Sequence, residues 1–368
     1  MILDEVDAGT RETLERFGFD AALFEELRAR VAAGDLSPES NVVRGEVEAP
    51  RDDDLTLLPE PGDEGYERAH AAGLEALRAG AVGQVVLAGG MATRFGGVVK
   101  AVVDAVDGRS FLEIKLAETL ELEEAVGAEV PVALMTSFAT DDVIRAYVVE
   151  RGLGDPIVFN QYVSLRLEPD GDLFREPAGQ PSLYAPGHGD LLRAIRESGA
   201  LASLRERGVR VMTVSNVDNL GARVDAAVLG MHLLAGRPYT AEVARKSGDL
   251  GGAPVRVDGR IQLLEGPRFP PIFDQELVPV FNTNTAVFDV DALDRDYDLT
   301  WLYVEKRAEG RTAVQLERVY HEASAFLPTT YLEVPRRGPR GRFFPIKTPE
   351  DLADAQDDLR ELLAASPI

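Results

Sequence analysis

The stretch VVLAGGMATRFGGVVK, residues 85–100, decides the fold. Val85, Val86, Leu87 and Ala88 form an apolar run of the length expected for a buried strand, and Gly89-Gly90 ends it with a sharp turn. Peptide N–H groups in such a turn converge on an anion. Arg94 adds a planar fork and Lys100 a mobile point charge, so the stretch predicts a phosphate cradle. It is not G-x-G-x-x-G, because Gly90 directly follows Gly89 and position 94 is arginine, and no Gly-Lys-Ser/Thr closes it as a P-loop would. A glycine pair after a strand is by itself more often a plain turn, so the cradle needs support elsewhere in the chain.

Downstream, apolar runs alternate with helical periodicity: strand 84–88, helix 111–125, strand 131–135, helix 140–151, strand 156–159, helix 189–206 and strand 209–214. This alternation predicts an α/β protein, Rossmann-like, with a mainly parallel central sheet and helices on both faces. Ligands then gather beyond the carboxyl ends of the strands, where Gly89-Gly90 and residues 215–218 fall. After residue 240 the short runs 254–257, 260–264 and 285–289 predict an additional antiparallel sheet region over one side of the cleft. Within it, Val257-Asp258-Gly259-Arg260 carries a hairpin turn. Upstream, the apolar spacing over residues 10–33 predicts one or two amphipathic helices. Residues 37–65 predict a surface connection, and a further helix spans 67–78. The division expected is 1–80 as a helical lead and linker, 81–290 as the catalytic core, and 291–368 as a portion completing the core. A last helix over 349–363 opens on Thr348-Pro349, a capping residue followed by proline in the first turn.

The 368 residues carry 63 acidic against 39 basic side chains, a net charge of −24, which argues against a nucleic acid partner except at a local basic patch. An apolar fraction of 45% with 28% charged residues predicts a chain folded over most of its length. Without cysteine there is no disulfide, thiol nucleophile or zinc–thiolate site, and four histidines are left for imidazole chemistry. The N-terminus is acidic and lacks a basic segment followed by an apolar core, and no apolar run is long enough to span a membrane. A cytoplasmic protein with no membrane partner is expected.

Two further segments support a phosphate-binding cleft. In YAPGHGD, residues 184–190, glycines flank His188 and should let a ligand approach it, while Asp190 is expected to cap the following helix. In SNVDNLGARVD, residues 215–225, Asp218 is a hard carboxylate at a strand end, suited to Mg²⁺ held jointly with substrate phosphates. Asn216 and Asn219 there would meet hydroxyls or form the turn, and Asp225 would start the next helix. Weaker signals are Asn282 and Asn284 in FNTN, Glu242 and Lys246 in AEVARK, and Lys347 in FFPIK.

Taken in order, LAGGMATRFGGVVK, LMTSFATDD, FNQY, YAPGHGD, SNVDNLGARVD, GGAPVRVDGRIQLLE, FNTN, QLERVYHEASAF and RFFPIK resemble the UDP-glucose pyrophosphorylase family, UTP-dependent uridylyltransferases of the eukaryotic type. The resemblance extends over residues 84–355 and implies a nucleotidyltransferase making UDP-glucose and pyrophosphate from UTP and glucose 1-phosphate. It implies Arg94, Lys100 and Lys347 as catalytic cations. Leu87, Ala88, Gly89, Gly90, Gln161, Gly187, Asn216 and Asp218 would hold the nucleotide, with Mg²⁺ at Asp218. His188, Asn219, Glu242, Lys246, Asn282 and Asn284 would hold the sugar phosphate. Met91-Ala92 replaces the family's usual Leu-Gly and Val99 its usual proline, and the chain ends soon after Lys347 without the family's C-terminal β-helix domain. Another sugar phosphate such as N-acetylglucosamine 1-phosphate, another nucleotide, or a non-catalytic nucleotide-sugar sensor are the alternatives.

Overall fold

Eight strands make the central sheet of the computed structural model, which describes residues 2–92, 97–249, 251–344, 346 and 348–365. In chain order they are β1 (Leu55–Leu57), β2 (Val82–Leu87), β3 (Val132–Thr136), β4 (Ile157–Asn160), β5 (Val211–Asn216), β6 (Tyr239–Arg245), β7 (Val280–Asp289) and β8 (Thr329–Glu333). Across the sheet they run β1-β8-β6-β7-β5-β2-β3-β4. Only β7 is antiparallel to its neighbours, and every other pair is parallel.

Residue parity along β2 sorts its side chains onto two faces, because successive strand residues point to opposite sides. Val85 and Leu87 pack with residues of the helices α6 (Leu191–Glu197) and α7 (Ala200–Glu206). Val86 and Ala88 pack with α4 (Phe111–Val126) and α5 (Asp141–Arg151) on the other side. Helices therefore cover both faces, as the β-α alternation predicts, and α3 (Glu64–Arg78) and α8 (Ala226–Ala235) lie together over the second face. The start of α4 is fixed by a capping box, with Ser110 and Glu113 each accepting the other's backbone N–H at 3.1 and 2.7 Å.

Several elements differ from their sequence expectation. The helix expected over 189–206 is broken at Gly199, whose φ of 81° the α-helix does not accept. Residues 285–289 belong to the longer β7 inside the central sheet, not to the layer over the cleft. Within the expected surface connection, residues 55–57 pair with β8 as an edge strand. The hairpin Ala253–Val257 with Arg260–Leu264 forms as predicted, with Asp258 and Gly259 both at positive φ, 49° and 77°, the requirement of a tight I′ turn. The N-terminal helices α1 (Ala8–Arg16) and α2 (Ala21–Ala32) pack Leu14, Phe17, Phe24 and Leu27 against Val163, Leu165, Val314 and Leu316. The helix expected over 349–363 forms as two, Pro349–Asp354, where Thr348 caps by accepting the Asp351 N–H at 3.1 Å, and Gln356–Ala364. Among the described residues no helix is long and apolar enough to cross a membrane.

Candidate active site

Because β5, β2, β3 and β4 run parallel, their carboxyl ends lie abreast. Asn216 is level with Leu87, Leu87 with Met135, and Thr136 with Asn160. Leu87 and Ala88 are buried and present backbone only, Ala88 N–H continuing the ladder to Met135 O at 2.8 Å. A Cβ on Gly89 would stand 2.1 Å from Gln161 Nε2, so glycine is required here for the Gln161 amide to lie over the turn. Ser137 Oγ fixes the turn from the other side by donating to Gly89 O at 2.9 Å. Gly90 is different: it is exposed, and a Cβ there would meet nothing within 4 Å.

Lys100 begins the short helical turn after this loop, and its ammonium donates to the Asp218 carboxylate and, at 2.5 Å, to Ile346 O. Their side chains are 17% and 22% exposed, so the pair remains reachable from the cleft. The neighbouring Asn219 is buried and holds the C-terminal segment with both ends of its amide. Its Nδ2 donates to Arg342 O at 3.1 Å and its Oδ1 accepts from Phe344 N–H at 2.9 Å. Glu242 is likewise buried, in a bidentate pair with Arg342 at 2.6 Å for both bonds. In this structure Asn219 and Glu242 are engaged internally, anchoring the segment that brings Ile346 to Lys100.

Residues 186–189 lie flush on the backbone of Arg318. Arg318 N–H donates to Pro186 O at 2.7 Å and Gly189 N–H to Arg318 O at 2.9 Å. Cβ atoms on Gly187 and Gly189 would come within 2.7 and 2.6 Å of Arg318, so both positions need glycine for the loop to pack on that backbone. The expected cap by Asp190 is also absent. Its carboxylate, wholly buried, instead accepts Tyr162 N–H at 3.0 Å and Arg318 Nη2 at 2.7 Å. Burial pushes its pKa up, with Arg318 opposing the shift.

His188 Nδ1 accepts the Tyr320 N–H at 3.3 Å, leaving Nε2 to carry the proton of the neutral ring. The ring packs against those of Tyr320 and His321, 5.0 and 5.7 Å between centroids, and burial with the His321 neighbour lowers its pKa to about 3. Asn284, at a φ of 57°, donates from Nδ2 to Asn216 Oδ1 at 3.1 Å, while Asn282 Oδ1 accepts Asn284 N–H at 3.1 Å. The structure therefore brings Asn216, Asn282 and Asn284 together at the β5–β7 end of the cleft. Lys246 follows β6 and donates to Gln275 O at 2.6 Å, and burial lowers its pKa. Arg94 and Lys347 lie outside the described residues.

A family model described as UTP--glucose-1-phosphate uridylyltransferase matches residues 57–366. The chain belongs to this family. Among curated relatives, the UTP--glucose-1-phosphate uridylyltransferase of Hordeum vulgare is 30% identical over 96% of this chain and 78% of its own length. That of Solanum tuberosum is 32% identical over 75% of this chain and 61% of its own, so some relatives extend well beyond the matched part. Solved structures share the fold at lower identity. A UDP-glucose pyrophosphorylase variant from Leishmania major superposes with a TM-score of 0.72 at 22% identity, covering 96% of this chain and 82% of that one. A putative UDP-N-acetylglucosamine pyrophosphorylase from Entamoeba histolytica gives 0.73 at 18% identity, covering 86% of each chain.

Within this family member, four side chains shape the cleft that the sequence did not single out. Arg318 and Arg342 each reach the site from far along the chain and pair with a buried carboxylate, Asp190 and Glu242. Glu265 sits 2.9 Å from His321, and although burial raises its pKa, the imidazole outweighs that and holds the carboxyl below its ordinary value. The only signal available for them was position inside the family segments LLE, ERVYHEA and RFFPIK.

Proposed function

We propose that this cleft converts UTP and glucose 1-phosphate to UDP-glucose and pyrophosphate. The observation that carries the reading is the placement of Gln161 over Gly89, the Lys100–Asp218 pair and the Asn216–Asn284 pair along one row of strand tips. In this reading the Gln161 amide reads the uracil edge and the asparagines meet ribose or hexose hydroxyls. A phosphate oxygen of glucose 1-phosphate attacks the α-phosphorus of UTP, forming the new P–O bond as the bond to the β-phosphate oxygen breaks and pyrophosphate leaves. The nucleophile is already an anion, so no general base is required, and the protein's part is alignment and charge neutralisation.

Lys100 exchanges its contact with Asp218 for substrate phosphate, and Arg94 and Lys347 supply the remaining positive charge. His188 donates from Nε2 as a neutral ring, which orients an oxygen without adding charge. Asp218 fits Mg²⁺: it is a single, partly exposed carboxylate at a strand end, and no group of three or more metal-ligating side chains occurs among the described residues. That donor set suits an ion held mostly by substrate phosphates. Bound there, Mg²⁺ would neutralise developing phosphate charge. Pyrophosphate release, measured with UTP against other nucleotides and with glucose 1-phosphate against N-acetylglucosamine 1-phosphate, tests the reading. Preference for another pair reassigns the substrate, and no release with any pair overturns catalysis.

A further inference from the structure

A cavity of about 370 Å³ lies outside the cleft, between the junction of α1 with α2 and the loop ends beneath Tyr162 and Pro186. Its volume is within the range of small-molecule sites, and none of the residues assigned above to nucleotide or sugar phosphate lines it. Four aromatic rings face it: Phe19, Phe24, Tyr162 and Trp301. Guanidinium groups cover two of these rings, Arg318 at 4.1 Å from the Trp301 centroid and Arg193 at 5.4 Å from that of Tyr162.

The two guanidiniums at the cavity are each paired with a carboxylate of the protein, while Arg318 Nε is a buried donor without a partner among the described residues. Arg193 Nε donates to Glu197 at 2.6 Å, Arg318 to Asp190 at 2.7 Å, and Asp20 accepts Leu23 N–H at the start of α2 at 3.0 Å. An anionic guest would have to break one of the guanidinium pairs, whereas a flat uncharged ring needs only the Phe19 and Phe24 rings and the apolar walls. We propose that this cavity is a second binding site, for a neutral planar aromatic molecule of about two fused rings. It shares its wall with the nucleotide end of the cleft, since Tyr162 follows Gln161 and Pro186 precedes Gly187, yet it does not depend on what the cleft catalyses.

Trp301 is the only tryptophan in the sequence, so its emission and its single indole N–H resonance report on this cavity alone. Benzimidazole, uncharged at pH 8 and excluded from the excitation band used, is the probe. The expected result is a saturable change in Trp301 emission and a shift of its indole resonance, both unaffected by saturating UTP. Ala21→Phe, which fills the cavity from the first turn of α2, should weaken the response about tenfold or more. The indole shift in the unmodified protein serves as the measurement that needs no variant. No saturable response, displacement by UTP, or unchanged affinity in a folded Ala21→Phe protein would each overturn the proposal.

Discussion

Lys100 and Asp218 are joined by an ion pair that ties the loop after β2 to the tip of β5, and the same ammonium holds Ile346 O from the C-terminal segment. Three separate parts of the chain converge on one nitrogen. Partly exposed pairs of this kind contribute on the order of 1 kcal/mol to stability, much less than an electrostatic contact to a transition state contributes to rate. Lys100→Ala should therefore lower kcat by about 10²–10³-fold with a nearly unchanged thermal transition. Lys100→Arg should not restore the rate, because a planar fork does not reproduce a point charge between these oxygens. Near-normal turnover in the alanine variant would remove Lys100 from the mechanism.

Asp218→Asn separates the metal reading from the ion-pair reading. The amide keeps the shape and frees Lys100, so a purely inhibitory pair would leave the enzyme active or faster. If the carboxylate helps hold Mg²⁺, the Mg²⁺ concentration for half-maximal rate rises and turnover falls while folding is retained. An unchanged Mg²⁺ titration curve would rule out that role.

Gly89 and Gly90 are predicted to differ sharply despite their adjacency. Gly89→Ala places a methyl on the Gln161 amide, which must move, and a displacement of about 1 Å can cost on the order of 10²-fold in kcat/KM. The loss should appear mainly in the KM for UTP. Gly90→Ala meets nothing and should leave UTP affinity close to that of the parent protein. Equal effects of the two substitutions would mean that the loop, not the Gln161 contact, sets nucleotide affinity.

The residues that were legible from sequence are those whose signal is local. A strand followed by Gly89-Gly90, the cap at Thr348 and the Asp258-Gly259 turn each depend on a few neighbouring residues, and each formed where its pattern lies. What was not legible depends on distant pairing. The strand β6 is interrupted by Thr240 and Glu242 and so lacks a continuous apolar run, and its neighbour β7 reads like any antiparallel strand until its register against β5 places it in the central sheet. Asp190 looked like a cap because helix caps are local. Its true partner, Arg318, arrives from 128 positions away. Likewise nothing near Glu242 or Asn219 announces Arg342, which reaches them from 100 and 123 positions away.

Removing one member of the buried Glu242–Arg342 pair should be costly for stability, because the other charge is left without a partner in the interior. Glu242→Gln is expected to lose about 3–5 kcal/mol in chemical denaturation. Glu242→Leu combined with Arg342→Met should recover much of that, since no charge then remains buried. Activity should not recover fully with it, because the segment that carries Ile346 to Lys100 is then held by Asn219 without the Glu242 pair. A double variant both stable and fully active would show that the pair has no part in shaping the site.

His188 gives the chain a stability that depends on pH in a definite direction. Its folded pKa is lowered to about 3 from 6.5, so between these values the unfolded chain binds a proton that the folded chain does not. Stability then rises with pH across that window, by at most about 1.4 kcal/mol per unit for this one group, and is fully present above it. His188→Asn should flatten that part of the profile of thermal midpoint against pH, leaving the steeper acid loss from carboxylates below it. The same shift keeps the ring neutral at physiological pH, so kcat/KM should show no inflection near 6.5 that His188→Asn abolishes. An inflection there, lost in the variant, would mean that the imidazole is charged when substrate binds and that His188 pairs with phosphate as a cation.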